Sequence, residues 1–219
     1  DSFTVALAAA GACCAAVDAV VKGEDPNALC LVRPPGHHAT RDTAMGFCIF
    51  NSVAVAAAHA LERHGLERAA VIDFDVHHGN GTQDIFWNEP RVLYLSSHQM
   101  PLYPGTGSRN ERGAGNIANA PLPPDAGSRE FRAAWNDLLL PVLEAHRPQL
   151  LLVSTGFDAH RDDPLAQLQL GADDYAWITQ RLCALADTHA KGRLVSSLEG
   201  GYDLTALREC TAAHVAAMA

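Results

Sequence analysis

The chain has 219 residues, 48% of them hydrophobic, enough for one globular α/β domain with a real core and too few for two large ones. A formal charge of −9 with no run of Lys or Arg argues against strong binding to nucleic-acid phosphates and permits a cationic substrate. Six cysteines without a C-x-x-C pair, several inside apolar stretches, read as buried free thiols rather than disulfides, in a reducing, cytoplasmic compartment.

The chain opens at Asp1 without a Met, so upstream sequence is expected to be missing. Val5 to Val17 is small and apolar throughout, but shorter than the ~20 residues of a membrane span. No basic segment precedes it, and Asp18 and Lys22 follow, so it predicts a buried, alanine-rich helix over 3–21 rather than a signal or membrane segment. Short apolar runs then alternate with helical patterns. The runs are Ala28–Val32, Ala69–Phe74, Val92–Ser96, Ile117–Pro121, Leu150–Ser154 and Leu194–Leu198. The helices are expected over 52–64, 129–146, 173–190 and 204–218. Most of the runs lack polar alternation, which predicts strands buried on both faces of a parallel sheet, with helices on both sides. Residues 101–116 and 121–127, rich in Gly, Pro and Asn, read as loops. No linker or repeat divides residues 1–219.

The unusual polar clusters all follow strand runs. They are Arg33–His38, Asp75–Asn80, Ser97–Gly107, Gly156–Asp163 and Glu199–Tyr202. Ligands of open α/β sheets bind at the carboxyl ends of strands, so five such clusters can share one site. Asp75 and His77, two apart, can point the same way and suit zinc; Asp73, on the same face, can orient a histidine. Asp158, after another strand, can complete a two-Asp, one-His set that leaves zinc open to water and substrate. Asp158 and His160 offer an alternative D-x-H pair for a second metal, although His160 reads as a surface-loop residue beside Arg161 and Asp162. His37 and His38 follow a rigid Pro-Pro turn and titrate near neutrality. Gly200 and Gly201 can bring the Tyr202 hydroxyl close to a reacting group. Each cluster alone has a plainer reading, as capping carboxylates, loop histidines or a packed tyrosine. Their succession at strand ends weighs against it. No G-x-S-x-G elbow, Walker A loop or G-x-G-x-x-G is present, and Gly113-Ala114-Gly115 lacks the strand-to-helix setting of a dinucleotide site.

Together the segments RPPGHHA (33–39), GFCIFNSVAVAA (46–57), VIDFDVHHGNGTQDIF (71–86), SSHQMPLYPGTG (96–107), STGFDAHRDDPL (154–165) and LEGGYDL (198–204) resemble the arginase/deacetylase superfamily. Within it they are most similar to bacterial class II-like histone deacetylases. The resemblance implies a three-layer α/β fold with a mostly parallel central sheet. It implies zinc on Asp75, His77 and Asp158, and an acid–base pair of His37 and His38 oriented by Asp73 and Asn80. Asn80 replaces the second Asp of class I relatives and brings no negative charge to its histidine. Tyr202 matches the oxyanion donor, Phe47 and Tyr103 the aromatic tunnel walls, Gly201 the tunnel floor, and Leu165 the position where polyamine-selective relatives place an acidic gatekeeper. A structural potassium ion is implied at the backbone oxygens of Asp73, Asp75, His77 and Ser97 with the side chains of Asp73 and Ser96. The family normally carries a further stretch before the segment matching Ser2, with edge strands and a loop Asp that grips the substrate backbone. The activity so implied is hydrolysis of acetyl-lysine in proteins or peptides. The alternatives are deacetylation of acetylpolyamines, or non-catalytic binding of acetyl-lysine. No nucleic-acid or membrane partner is expected.

Overall fold

The apolar runs pair side by side in a computed structural model that describes residues 1–219. They are β1 (Asn27–Cys30), β2 (Ala69–Asp73), β3 (Val92–Gln99), β4 (Ile117–Leu122), β5 (Leu151–Thr155) and β6 (Leu194–Leu198). They form one sheet of order β1-β6-β5-β2-β3-β4, and every pairing is parallel. The expectation of strands buried on both faces holds because successive side chains point to opposite faces, and both faces are covered. Ala70 and Ile72 of β2, Leu151 and Val153 of β5, and Leu93 and Leu95 of β3 enter one core. Their neighbours Val71, Leu152, Val92 and Tyr94 enter the other.

The first core is closed by α4 (Ser128–Ala134), α5 (Leu140–His146), α6 (Ala172–His189) and α7 (Leu204–Met218). The second is closed by α1 (Ser2–Lys22) and α2 (Ser52–His64), with Phe86 of the short α3 (Asn80–Phe86). This is the expected three-layer α/β arrangement. The sequence pattern gave no sign of α3. The helix expected over 129–146 is interrupted by a π-helical turn, Trp135–Leu139, between α4 and α5. Pro141, in the first turn of α5, has no N–H to give back to the preceding turn, and the ladder widens there. The fully buried Trp135 uses that turn to donate from Nε1 to Ser97 Oγ at 3.0 Å.

Helix α1 is long and apolar enough to cross a membrane by length and composition alone. Here it buries Ala6, Ala9, Ala10, Cys13, Val17 and Val20, and leaves Phe3, Val5 and Leu7 exposed. The expected burial therefore holds for one face only. All six cysteines are free, four of them buried.

From β2 the chain proceeds outward through β3 to β4. From β5 it proceeds the other way to β6, so the order reverses between β2 and β5. Loops leaving two adjacent strands in opposite directions open a crevice at their carboxyl ends. Asp75 and Asp158 lie just past those two ends.

Candidate active site

At the switch between β2 and β5, His77 Nδ1 lies 3.1 Å from Asp75 Oδ1 and 3.1 Å from Asp158 Oδ2. Backbone groups fix both carboxylates. His77 N–H donates to Asp75 Oδ1 at 2.9 Å, Gly200 N–H to Asp75 Oδ2 at 2.8 Å, and Val76 N–H to Asp158 Oδ1 at 2.9 Å. Close approach of the turns requires glycine at two positions. A Cβ on Gly156 would collide with the Asp75 carboxylate, and one on Gly200 with that of Asp158.

Two adjacent buried carboxylates without a lysine or arginine in the cavity wall form a site for a cation. Burial and the nearby charge of Asp75 push Asp158 up to about 7. Burial opposes a charge on His77, but its bonds to Asp158 and Asp75 prevail and raise it to about 10. Three ligand atoms, one from each residue, lie within 4.8 Å of one another. Ligands bonded at ~2.0–2.1 Å in tetrahedral array stand ~3.3 Å apart, close to the observed edges, so the set fits zinc.

The paired histidines face this cluster with their rings 4.1 Å apart. His37 Nδ1 bonds Asp73 Oδ2 at 3.0 Å, and the Tyr94 hydroxyl donates to the same oxygen at 3.0 Å. His37 Nε2 is 3.8 Å from Asp75 Oδ1. Burial works against a charge on His37, but Asp75, Asp73 and Glu199 outweigh it and hold the imidazole well above its ordinary value. His38 bonds Asn80 Oδ1 through Nδ1 at 2.8 Å. Burial, then the charge of His37, lower it to about 3.

A cleft of about 320 Å³ leads to these groups, lined by His37, His38, Phe47, Tyr103, Leu165 and Tyr202 among others. Tyr103 stands edge-on to His38 with centroids 5.1 Å apart, and Phe47 lies 6.3 Å from the Tyr202 ring. Gly46 and Phe47 both have positive φ, at 56° and 66°. The first has no room for a Cβ against the His38 ring, and the second holds its ring at the rim, 71% exposed. The wall at the last turn is Gly200, whereas Gly201, expected at the floor, packs toward Leu207 and Phe157. Burial and the charges of Asp158 and Asp75 raise the Tyr202 hydroxyl well above its ordinary value.

The residues expected around potassium also lie together, with Asp73 paired to Ser96 across β2 and β3. Ser96 Oγ bonds His98 Nδ1 at 2.9 Å, so it, like Ser97 Oγ, already has a side-chain partner. His160 is buried rather than in a surface loop. Asp162 N–H donates to its Nδ1 at 3.2 Å, and it takes no part in a second metal cluster.

Three supporting residues were not assigned from the sequence. Tyr94 sits mid-strand, where a tyrosine reads as core. Glu199 is fully buried and accepts from Gly36 N at 2.6 Å and His37 N at 3.1 Å, tying the histidine turn to β6. Asp163 accepts from Tyr202 N at 2.8 Å and Leu165 N at 3.0 Å. The signal for Glu199 was an acid directly ending an apolar strand; for Asp163 there was none.

Residues 1–218 match the histone deacetylase domain. The chain belongs to the histone deacetylase family. It is 48% identical over 206 residues to the histone deacetylase-like amidohydrolase of Pseudomonas aeruginosa, covering 92% of this chain and 54% of that one. It is 44% identical over 222 residues to a probable deacetylase of Archaeoglobus fulgidus, covering 99% and 62%. The crystal structure of the HDA15 HD domain superposes with a TM-score of 0.93 at 37% identity, over 98% of this chain and 61% of that one. The chain thus spans about half to two thirds of the length of these histone deacetylase relatives.

Proposed function

We propose that this chain is the core of a zinc-dependent amidohydrolase that removes acetyl groups from acetyl-lysine side chains. One observation carries the reading: an Asp75–His77–Asp158 set with both carboxylates buried, two oriented histidines and a tyrosine converge on a single aromatic-walled cleft. Zinc on those three ligands supplies Lewis-acid polarisation of the acyl oxygen and of water. The chain's own groups do the rest. Asn80 Oδ1 accepts from His38 Nδ1–H, leaving the Nε2 lone pair free to take the proton of an attacking water and return it to the departing amine. The His37 imidazolium, held by Asp73, balances negative charge as it develops. Tyr202, raised above its ordinary range, stays protonated and donates to the oxyanion. Phe47 and Tyr103 flank the lysine methylenes and keep water from the cleft. Acetate and a free amine leave, and no covalent enzyme intermediate is needed.

Leu165 supports acetyl-lysine over acetylpolyamine. It lines the mouth, 44% exposed, and offers a second ammonium no partner. The test is acetate release by the zinc-loaded protein from an acetyl-lysine peptide and from an acetylpolyamine, expected to favour the peptide. Release from neither sinks the catalytic reading. Leu165→Glu is expected to move the kcat/KM ratio about tenfold toward the polyamine, about 1.4 kcal/mol. Two charges ~4 Å apart gain about 4 kcal/mol at an effective dielectric of 20, and desolvation removes much of it. An unmoved ratio removes residue 165 as gatekeeper.

A further inference from the structure

Between α1 and α2 a second trio of metal-type side chains converges. Asp18 lies near the end of α1, and His59 and His64 lie in the second half of α2. Both imidazoles reach the same oxygen. His59 Nε2 is 2.7 Å and His64 Nε2 2.6 Å from Asp18 Oδ1, and the rings stand 5.3 Å apart at 78°. One ligand atom from each of the three lies within 4.8 Å of the others. Five residues apart, two side chains point ~140° apart around a helix. Helix α2 alone therefore does not bring these rings together; Asp18, reaching across from α1, does.

The three side chains are 38%, 22% and 18% exposed in chain order. They are sheltered in the groove between the helices but open to water and ions. No lysine or arginine is paired with Asp18. Two imidazoles and one carboxylate are the donors that zinc, copper and nickel take; calcium and magnesium prefer all-oxygen sets. The location is remote from the cleft. Helix α1 ends just before β1 begins and α2 just before β2 begins, whereas the cleft opens at the other end of the strands.

We propose that Asp18, His59 and His64 form a second metal site, for a divalent ion of the zinc type, that staples α1 to α2. Each ring carries its proton on Nδ1 when the ion is bound and turns the Nε2 lone pair inward. The three ligand atoms spread from hydrogen-bond contact to the ~3.3 Å spacing of ligands around zinc. Water fills the remaining position. Once zinc has filled the cleft, further zinc stabilises the fold through this site, because the ion binds only where both helices are in place.

The test is calorimetric titration of the chelator-stripped protein with zinc chloride, with bound metal counted by native mass spectrometry. Wild type is expected to take two equivalents. His59→Gln combined with His64→Gln keeps a side-chain N–H for Asp18 but offers no ring nitrogen. It is expected to lose one equivalent, a weakening of that step beyond the ~10–100-fold that follows loss of an outer partner alone. Asp18→Asn provides the same test should the double variant fail to fold. His77→Ala is expected to keep one equivalent, which then disappears when the two glutamines are added. That order separates this site from the proposed catalytic one. A single wild-type equivalent that His77→Ala abolishes overturns the proposal and leaves the deacetylase reading standing. Two equivalents that survive both His59/His64→Gln and Asp18→Asn overturn it as well.

Discussion

The molecule carries the same ligand chemistry twice, in two settings. At the strand ends, Asp75, His77 and Asp158 are held by backbone donors on Val76, His77 and Gly200, and both carboxylates are buried. Between the helices, the side chains of Asp18, His59 and His64 are partly exposed and bond only to one another. The first set is fixed before any ligand arrives, with both carboxylates removed from water. The second set is arranged by its own side chains and sits partly in water. A preorganised, water-poor set binds more tightly and polarises a substrate more strongly than a solvated one. This difference suits the first cluster to the proposed chemistry and the second to bracing two helices.

The largest effect expected is from breaking the strand-end set. Asp158→Ala should release zinc and reduce acetate production to background, whereas Asp18→Ala should leave turnover within about twofold, as for most surface changes away from a site. Turnover measured on both variants checks this, and equal losses of kcat would end the distinction between the clusters. Tyr202→Phe comes next. Removal of one oxyanion donor costs ~10²–10³ in kcat, and zinc content should not change, since Tyr202 is no ligand. Unchanged turnover would refute its assigned role.

Gly200→Ala tests the scaffold rather than a ligand. Its Cβ lands on the Asp158 carboxylate, so zinc affinity should fall by ~10–100-fold, the usual cost of disturbing what orients a ligand. Competition with a chromophoric chelator measures it. A variant that binds as tightly as wild type would show that this turn yields, and that the cluster is less fixed than its hydrogen bonds imply.

The smallest effect sharpens the comparison with a histidine that has no carboxylate partner. His214 is fully buried between Thr179 Oγ1 at 2.6 Å and Ser196 Oγ at 2.9 Å, and burial lowers it to about 4. In His77, by contrast, two carboxylates overcome burial. A lowered histidine is neutral in both folded and unfolded chains above pH ~6.5, so its native contribution is intact there. As pH falls from ~6.5 toward 4 the unfolded chain takes the proton first, and folding loses up to about 3 kcal/mol from this residue. The urea midpoint should fall further between pH 7 and pH 4.5 for wild type than for His214→Gln. Parallel pH dependence in the two proteins would show that His214 does not bear this cost.

Read from composition and pattern alone, the sequence determined the parallel sheet, the helices flanking it, and the clusters at strand ends. Uninterrupted apolar runs have no stable place except a sheet covered on both sides, and Asp or His at the end of such a run has nowhere to go but the crevice mouth. Asp75, His77, Asp158, His37, His38 and Tyr202 were legible for that reason. The tertiary structure decided what depends on distances between segments remote in the chain. It chose Gly200 over Gly201 for the wall, because only one of them lies against Asp158. It buried His160, turned Pro141 into the cause of a π turn, and gave Glu199, Asp163 and Tyr94 their partners. The cluster of Asp18, His59 and His64 was invisible along the chain. A spacing of five residues has no meaning on one helix, and acquires one only when the carboxylate of another helix packs between the two rings.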